Sequence, residues 1–519
     1  MSEPNTIPTK EFEFSGFRKI FWPVHDYELK KVLPMAFMMF CVLFNYTILR
    51  DAKDGLVVTA PGSGAETISF LKLYGTLPFA IIMMGIYAKL NTILSKPKLF
   101  YTMVCIFITF FALFAYVLFP YKEIVHASPE TLISWKKSYP RLQWFLPLIA
   151  NWTYSLFYIF SELWGTVGLS VLFWQFANDI NKVSEAKRFY PLFGLIGNVG
   201  LLCSGYMLYA ITAKYSHLPP SERWEVSLKW IILALLVCFC FIIYLYRWVR
   251  NNVMTDPRLY DASQGSLPGK KKKVKLGFTE SLKIVFSSKY LAYLAILVLS
   301  YGITINLVEV TWKSQMKLQF PDTAEYVKIM GLFSMTTGFT TIILMIVGAN
   351  ILRNLGWFVG AIITPAVMLI TGAMFFSFIV FRDSLSGILA SISMTPVLMA
   401  VIIGWAQNVI TKGSKYSLFD PTKEMAYIPL PDDIKTQGKA AVDGVGGRLG
   451  KSGGGIIQQI LLLTILGSTQ ITIAPYIGVF LLFISFIWLI SVIGLNKEFQ
   501  KLSNESAQIK KTEKTEKII

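Results

Sequence analysis

The sequence predicts an all-α membrane protein of about twelve transmembrane helices in two six-helix bundles. Three observations carry this: long uninterrupted apolar blocks, a basic excess that alternates from loop to loop, and a polar basic segment near the middle of the chain. Of the 519 residues, 54% are hydrophobic and only 15% charged, and the mean hydropathy is +0.53. A soluble domain carries about a quarter charged residues. A block of about 20 apolar residues crosses the hydrocarbon core of a bilayer, and its backbone must then pair internally, which makes it a helix.

Taken in order, the expected spans are 33–49, 67–88, 99–119, 143–177, 190–213, 228–247, 289–311, 327–351, 357–381, 385–410, 441–466 and 472–494. The fourth is long enough for one tilted helix or for a helix with a re-entrant piece. Alternate loops hold the Lys/Arg excess: Lys30 and Lys31, then Lys89, Lys96 and Lys98, then Lys182, Lys187 and Arg188, then 247–289, Arg353, 412–439 and the tail. The opposite loops hold roughly half as many, partly balanced by Asp51, Asp54, Glu66 and Glu130. Both termini are therefore expected in the cytoplasm. The net charge of +18 follows from this bias and does not ask for nucleic acid. The first ~30 residues lack the apolar core of a cleavable signal.

The expected organisation is a cytoplasmic N-terminal segment 1–32, a six-helix bundle 33–247, a cytoplasmic basic linker 248–288, a second bundle 289–496 and a cytoplasmic basic tail 497–519 that is disordered. The linker contains Lys270 to Lys273, a run suited to topology or lipid headgroups. The halves echo one another faintly. TILRDAKD after the first span resembles INLVEVTWK in the seventh, and LIGNVGLLCSG in the fifth resembles RLGKSGGGIIQ in the eleventh. Secondary transporters are built from such repeats, with the substrate site between them.

The five cysteines, Cys41, Cys105, Cys203, Cys238 and Cys240, lie within apolar blocks and read as buried filling. With only three histidines, neither a metal site nor a cofactor is expected.

Charge inside an apolar block costs several kcal/mol unless it meets a partner or a wet cavity. Lys72 stands near the start of the second span, where snorkelling to the interface is the plain alternative. Glu162 lies deep in the fourth, with Asn151, Tyr154, Ser155 and Tyr158 on the same helical face. Glu309 lies near the end of the seventh, close to Asn306, with Lys313 at i+4 as a possible internal partner. Lys451 lies in the glycine-rich GVGGRLGKSGGG with Arg448, a cationic patch suited to phosphate, with close helix packing as the alternative. GRLGKSG is not a P-loop: Val445 stands where the first glycine belongs, and no strand precedes it. The segment 412–444 reads as a patterned loop that gates the cytoplasmic side.

LRDAKDGLVVTAPGSGAE, ELWGTVGLSVLFWQFAN, EAKRFYPLFGLIGNVG, INLVEVTWKSQMK, KYSLFDPTKEMAYIPL and GKAAVDGVGGRLGKSGG closely resemble the nucleotide transporter, or ATP/ADP translocase, family of plastids and obligate intracellular bacteria. The resemblance runs from about residue 30 to 495. It implies a major facilitator superfamily-like fold and counter-exchange of ATP for ADP without hydrolysis, with phosphate as a further candidate substrate; the chain is then not an enzyme. It also implies that one lysine and one glutamate in each half are functional, here Lys72, Glu162, Glu309 and Lys451. Arg50, Asn151, Tyr154, Tyr158, Asn306, Lys313 and Arg448 are secondary candidates, a tyrosine serving to stack the base. The family also holds proton-coupled and broad-specificity nucleotide carriers, an alternative left open. The expected setting is a bacterial inner membrane, with lipid as the surrounding partner and a monomer as the working unit.

Overall fold

The computed structural model describes residues 22–260, 283–284 and 288–516. The side chains of Arg448 and Lys451 and the run Lys270–Lys273 lie outside the described residues. Among the described residues twelve long helices follow one another, six before the linker and six after it. In the first half they are α1 (Leu29–Thr59), α2 (Glu66–Ile93), α3 (Lys96–Leu118), α4 (Trp152–Ile180), α5 (Val183–Lys214) and α6 (Pro220–Asn252). In the second half they are α7 (Lys289–Gln319), α8 (323–355), α9 (357–380), α10 (396–426), α11 (440–464) and α12 (Gln470–Glu516).

Nine helical stretches among the described residues are long and apolar enough to cross a membrane, and Thr323–Val380 counts as one of them although it contains both α8 and α9. Gly356 divides that stretch with φ +82, a backbone conformation that side-chain-bearing residues rarely adopt. α10 and α11 are less apolar because they carry Gln407, Asn408 and Lys412, and Asp443, Arg448 and Lys451.

Several boundaries differ from expectation. α1 does not end near residue 49 but continues to Thr59, so Asp51 and Asp54 are buried in a helix and not in a loop. Glu66 is buried too, and its Oε1 accepts from Gln470 N at the start of α12 at 2.8 Å. The long fourth span is broken at Asn151, which separates the short helix Leu146–Ala150 from α4. The tenth span begins at Pro396, because Arg382–Ala390 is a separate short helix and the chain turns at Ser393. Thr395 caps α10 by accepting from Leu398 N at 3.1 Å. Most of 412–444 is helix, the end of α10 followed by Asp432–Lys439 and the start of α11. The tail is helical to Glu516; its Lys/Glu-rich text suits a solvated helix. Cys41 is buried and Cys238 half-buried, but Cys105, Cys203 and Cys240 are exposed on span surfaces, and none is disulfide-bonded.

The repeat is real in space. Gly197 and Gly200 of α5 pack on α1, where a methyl group on Gly200 would stand 2.9 Å from the Phe40 carbonyl oxygen. Gly450, Gly453 and Gly454 of α11 pack on α7, where a methyl on Gly450 would stand 3.2 Å from the Gly302 Cα and one on Gly454 2.9 Å from the Ile303 carbonyl oxygen. The α11 glycines therefore permit close helix contact, the packing role weighed for them in the sequence. α1 and α7 are both 31 residues long, and Lys53 and Lys313 hold the same place in them.

The halves are tied together at mid-helix and on the side away from the termini and linker. There α5 crosses α8 backbone to backbone: a methyl on Gly205 would stand 2.5 Å from the Gly331 carbonyl oxygen. Thr59 bonds Thr323 at 2.6 Å, Trp144 Nε1 donates to Ser468 O at 2.8 Å, and Lys317 donates to Ser63 O. Arg223 pairs with Glu325 at 3.4 Å and with Asp322 at 3.6 Å. On the terminal side, hydrogen bonds and ion pairs among the described residues stay within a half, such as Lys31–Glu185 and Arg188–Glu28 in the first and Lys423–Asp443 in the second. The structure is thus sealed on the far side.

Gly331→Val tests that seal. The added branches must push α5 and α8 apart, so the thermal midpoint of the purified protein should fall by an amount matching about 1–3 kcal/mol of overpacking. An unchanged midpoint would mean the crossing is looser than described.

Candidate functional site

The apolar text of α1 carries four charges within five residues, Arg50, Asp51, Lys53 and Asp54. None could remain there unpaired. Lys53 and Asp54 are adjacent in sequence and bond each other at 2.9 Å. The Lys53 ammonium also meets Glu162 of α4 at 2.9 Å and lies over the Tyr158 ring, 3.8 Å from its centroid. Asp54 turns its other oxygen to Lys313 of α7 at 2.8 Å, across the boundary between the halves. Lys313 in turn holds Glu309 at 2.8 Å, and Lys412 of α10 approaches the second Glu309 oxygen at 3.5 Å. A continuous chain of ion pairs therefore runs Glu162–Lys53–Asp54–Lys313–Glu309–Lys412 through both halves.

Burial is graded along this chain. Lys53, Asp54 and Lys313 keep only 4%, 1% and 4% of their side-chain surface accessible. Glu162 and Glu309 keep 32% and 25% although they sit mid-helix. The two glutamates thus face an opening between the halves, while the cations that hold them are sealed behind. Lys72 lies half-buried beside the chain, within electrostatic range of Glu162, Glu309, Lys53 and Lys313, and it makes no ion pair among the described residues. Its side chain turns inward; it does not snorkel to the interface.

Wide π-helical turns adjoin these positions. Lys72 is inside one at Leu71–Thr76; Glu162 stands three residues before the one at Gly165–Phe173 and Lys412 three residues before the one at Lys415–Phe419. Such turns insert a residue without ending the helix, and they recur at functional sites because they re-aim neighbouring side chains. Lys412 is the counterpart in α10 of Glu162 in α4.

Arg50 forms a second link between the halves. Its Nε meets Asp51 at 3.0 Å, its Nη2 donates to Ser334 of α8 at 2.6 Å, and the Ser334 hydroxyl donates to Asp51.

The structure brings Lys72, Glu162, Glu309, Lys313 and Tyr158 together, with Arg50 adjoining. Other candidates lie elsewhere. Asn151 is a structural turn residue that donates to the Pro61 and Pro147 carbonyls, at 3.2 and 3.0 Å. Tyr154 packs among Phe114, Phe119 and His126 in the interior of the first half, where it cannot stack a base at the opening. Asn306 faces α11, and its carbonyl accepts from Gln458 at 3.4 Å. Lys53, Asp54 and Lys412 are central to the cluster and were not among the candidates. For Lys53 and Asp54 the signal was that neither Gly nor Pro interrupts the chain from Leu49 to Asp54, which lets α1 continue through its charges; nothing comparable marked Lys412.

The profile of the TLC ATP/ADP transporter family matches residues 7–499. Relatives include ADP,ATP carrier protein 1 of Chlamydia muridarum (strain MoPn / Nigg), 47% identical over 505 residues, 96% of this chain and 94% of that one. ADP,ATP carrier protein 1 of Rickettsia prowazekii (strain Madrid E) is 47% identical over 504 residues, 95% and 98% of the two chains. The chloroplastic ADP,ATP carrier protein 2 of Arabidopsis thaliana is 46% identical over 498 residues, 94% of this chain and 78% of that one. Among solved structures, a bacterial homologue of the iron transporter ferroportin in an inward-facing state superposes with a TM-score of 0.54 at 13% identity, covering 92% of this chain and all of that one. The two chains therefore share one fold. By the match along nearly its whole length and by these carriers at almost half identity, the chain belongs to the TLC ATP/ADP transporter family.

Proposed function

We propose that this chain exchanges ATP and ADP across a membrane by alternating access, without hydrolysing them, and that the nucleotide phosphates bind at the mid-helix ion-pair chain. The observation that carries this reading is the chain itself, Glu162–Lys53–Asp54–Lys313–Glu309–Lys412, with Lys72 alongside. Phosphate oxygens are strong partners for ammonium groups in a low-dielectric site. Lys72, without a carboxylate of its own, makes the first contact. Lys53 and Lys412 are then drawn from Glu162 and Glu309, the two acids that face the opening. Lys451 and Arg448 on α11 add positive charge, as the sequence argument holds. Tyr158 can offer a ring only if Lys53 leaves it; Tyr154 has no such access.

Exchange follows from charge compensation. In the empty carrier the lysines are paired with glutamates; in the loaded carrier with phosphate. A halfway state with neither leaves buried charge unpaired, and breaking a buried pair costs about 3–5 kcal/mol. Crossing is then favoured when one nucleotide replaces another. The proposed orientation places both termini in the cytoplasm of a bacterial cell, so the described state opens inward. A bacterial inner membrane, a monomeric unit and phosphate as a possible companion substrate belong to the same proposal.

Proteoliposomes loaded with ADP should take up labelled ATP, and empty ones should not; unlabelled ADP should compete, and GTP and sugar phosphates should not. Uptake into empty vesicles that a protonophore abolishes would replace exchange with proton coupling. Lys72→Ala should weaken apparent ATP affinity about 10- to 100-fold, the effect of one charged hydrogen bond. Full affinity in that variant would remove Lys72 from the site.

Asp54→Asn should leave Lys53 and Lys313 without their shared carboxylate and lower the thermal midpoint sharply, by up to about 3–5 kcal/mol. Adding Lys313→Met should recover part of the midpoint while exchange stays lost. A double variant no more stable than the single one would mean that the pair is not a unit.

A further inference from the structure

A second cavity lies outside the ion-pair chain, on the flank of the first half at the terminal side. It has a volume of about 360 Å³ and sits between the start of α3, the ends of α2, α4 and α6, and the segment that follows α6. Its floor is apolar and aromatic, and its rim is charged. On the floor, Phe100 and Tyr246 stack with centroids 3.8 Å apart and planes 8° apart, and Phe176 lies 4.4 Å from Tyr246. On the rim, Lys96 opens α3 and is paired with Asp179 at 2.7 Å. Arg250, near the end of α6, is exposed and makes no hydrogen bond or ion pair among the described residues. The outer wall is fixed, since the carbonyl of Leu259 accepts from the buried Lys31 at 3.0 Å and so holds Tyr260 in place.

We propose that this crevice binds the headgroup phosphate of an anionic phospholipid, with Arg250 and Lys96 as its cations and the aromatic floor against the glycerol and upper acyl chain. Three observations favour a lipid. The crevice lies at the ends of spanning helices, the level at which headgroups stand. Basic pockets between spanning helices suit acidic headgroups, and each basic residue near the surface contributes about a fivefold gain in binding. The floor rings are already stacked on each other, so a nucleotide base cannot insert between them. The site is separate from the proposed transport path and does not depend on it.

The test is native mass spectrometry of the full-length protein released from vesicles of equal parts dioleoylphosphatidylglycerol and dioleoylphosphatidylcholine. Retained lipid should be enriched in phosphatidylglycerol. Arg250→Gln should reduce that enrichment about fivefold. Asp179→Asn, which frees Lys96, should raise it. Arg247→Gln removes an equal charge one turn away, from a residue that does not line the crevice, and should change little. An equal drop in the Arg247 variant would reduce the effect to general surface attraction and overturn the site. No enrichment in the parent protein, or loss of the bound lipid on adding ATP, would overturn it too, the second by making the crevice a nucleotide site.

Discussion

Two lysines at matching places in the two halves share one carboxylate. Lys53 and Lys313 both reach Asp54, and all three are almost wholly removed from water. A lone ammonium at that depth would be intolerable, and two facing each other worse. The Asp54 carboxylate makes the central approach of the halves possible at all. Its negative charge is one against two, so each lysine must find another acid, which Glu162 supplies in α4 and Glu309 in α7. Those outer acids are the ones left partly accessible. The most exposed partners in the chain are therefore the ones that a competing anion can displace, while the innermost carboxylate stays put. This gradient gives the proposed site a fixed hinge and two exchangeable ends.

Glycine provides the mechanical counterpart. At the α5–α8 crossing the backbones touch directly through Gly205 and Gly331, so no side chain stands between the two helices there. At the α7–α11 contact, Gly450 and Gly454 let α11 lie against the helix that carries Glu309 and Lys313. Helices in lipid lack a hydrophobic reason to associate, and close backbone approach replaces it with dispersion contacts. Contacts of this kind are broad and shallow. They suit surfaces that must part and rejoin, as alternating access requires, better than a ring of buried ion pairs would. The far-side hydrogen bonds, such as Thr59 to Thr323, are few and partly exposed, which keeps the closed arrangement within reach of the open one.

The π-helical turns connect the two features. An α-helix places charges by its 3.6-residue period alone, and Glu162 and Lys412 would be tied to whatever face their neighbours bury. The wide turns that follow them at Gly165–Phe173 and Lys415–Phe419 reset the face after the charge, so the residues beyond each turn need not share the face that carries it. Equivalent placement in α4 and α10 is part of the same repeat that aligns α1 with α7.

The apolar blocks and the loops between them gave the helices and their order, because burying apolar side chains in lipid is a local property of each block. Hydropathy also singled out Lys72, Glu162 and Glu309, because an isolated charge in apolar text has few explanations. Family resemblance supplied the nucleotide. What the sequence left undecided were the charges that look ordinary in one dimension. Arg50 to Asp54 read as a loop because paired charges at a span end usually lie in water, and Lys412 read as a loop lysine for the same reason. Asn151 and Tyr154 shared a helical face with Glu162 on paper, but the break at Asn151 and the aromatic packing of Tyr154 took them elsewhere. Only the tertiary structure could decide these, since whether a charge is solvated or paired depends on which helix comes to lie beside it, and that neighbour can be more than two hundred residues away.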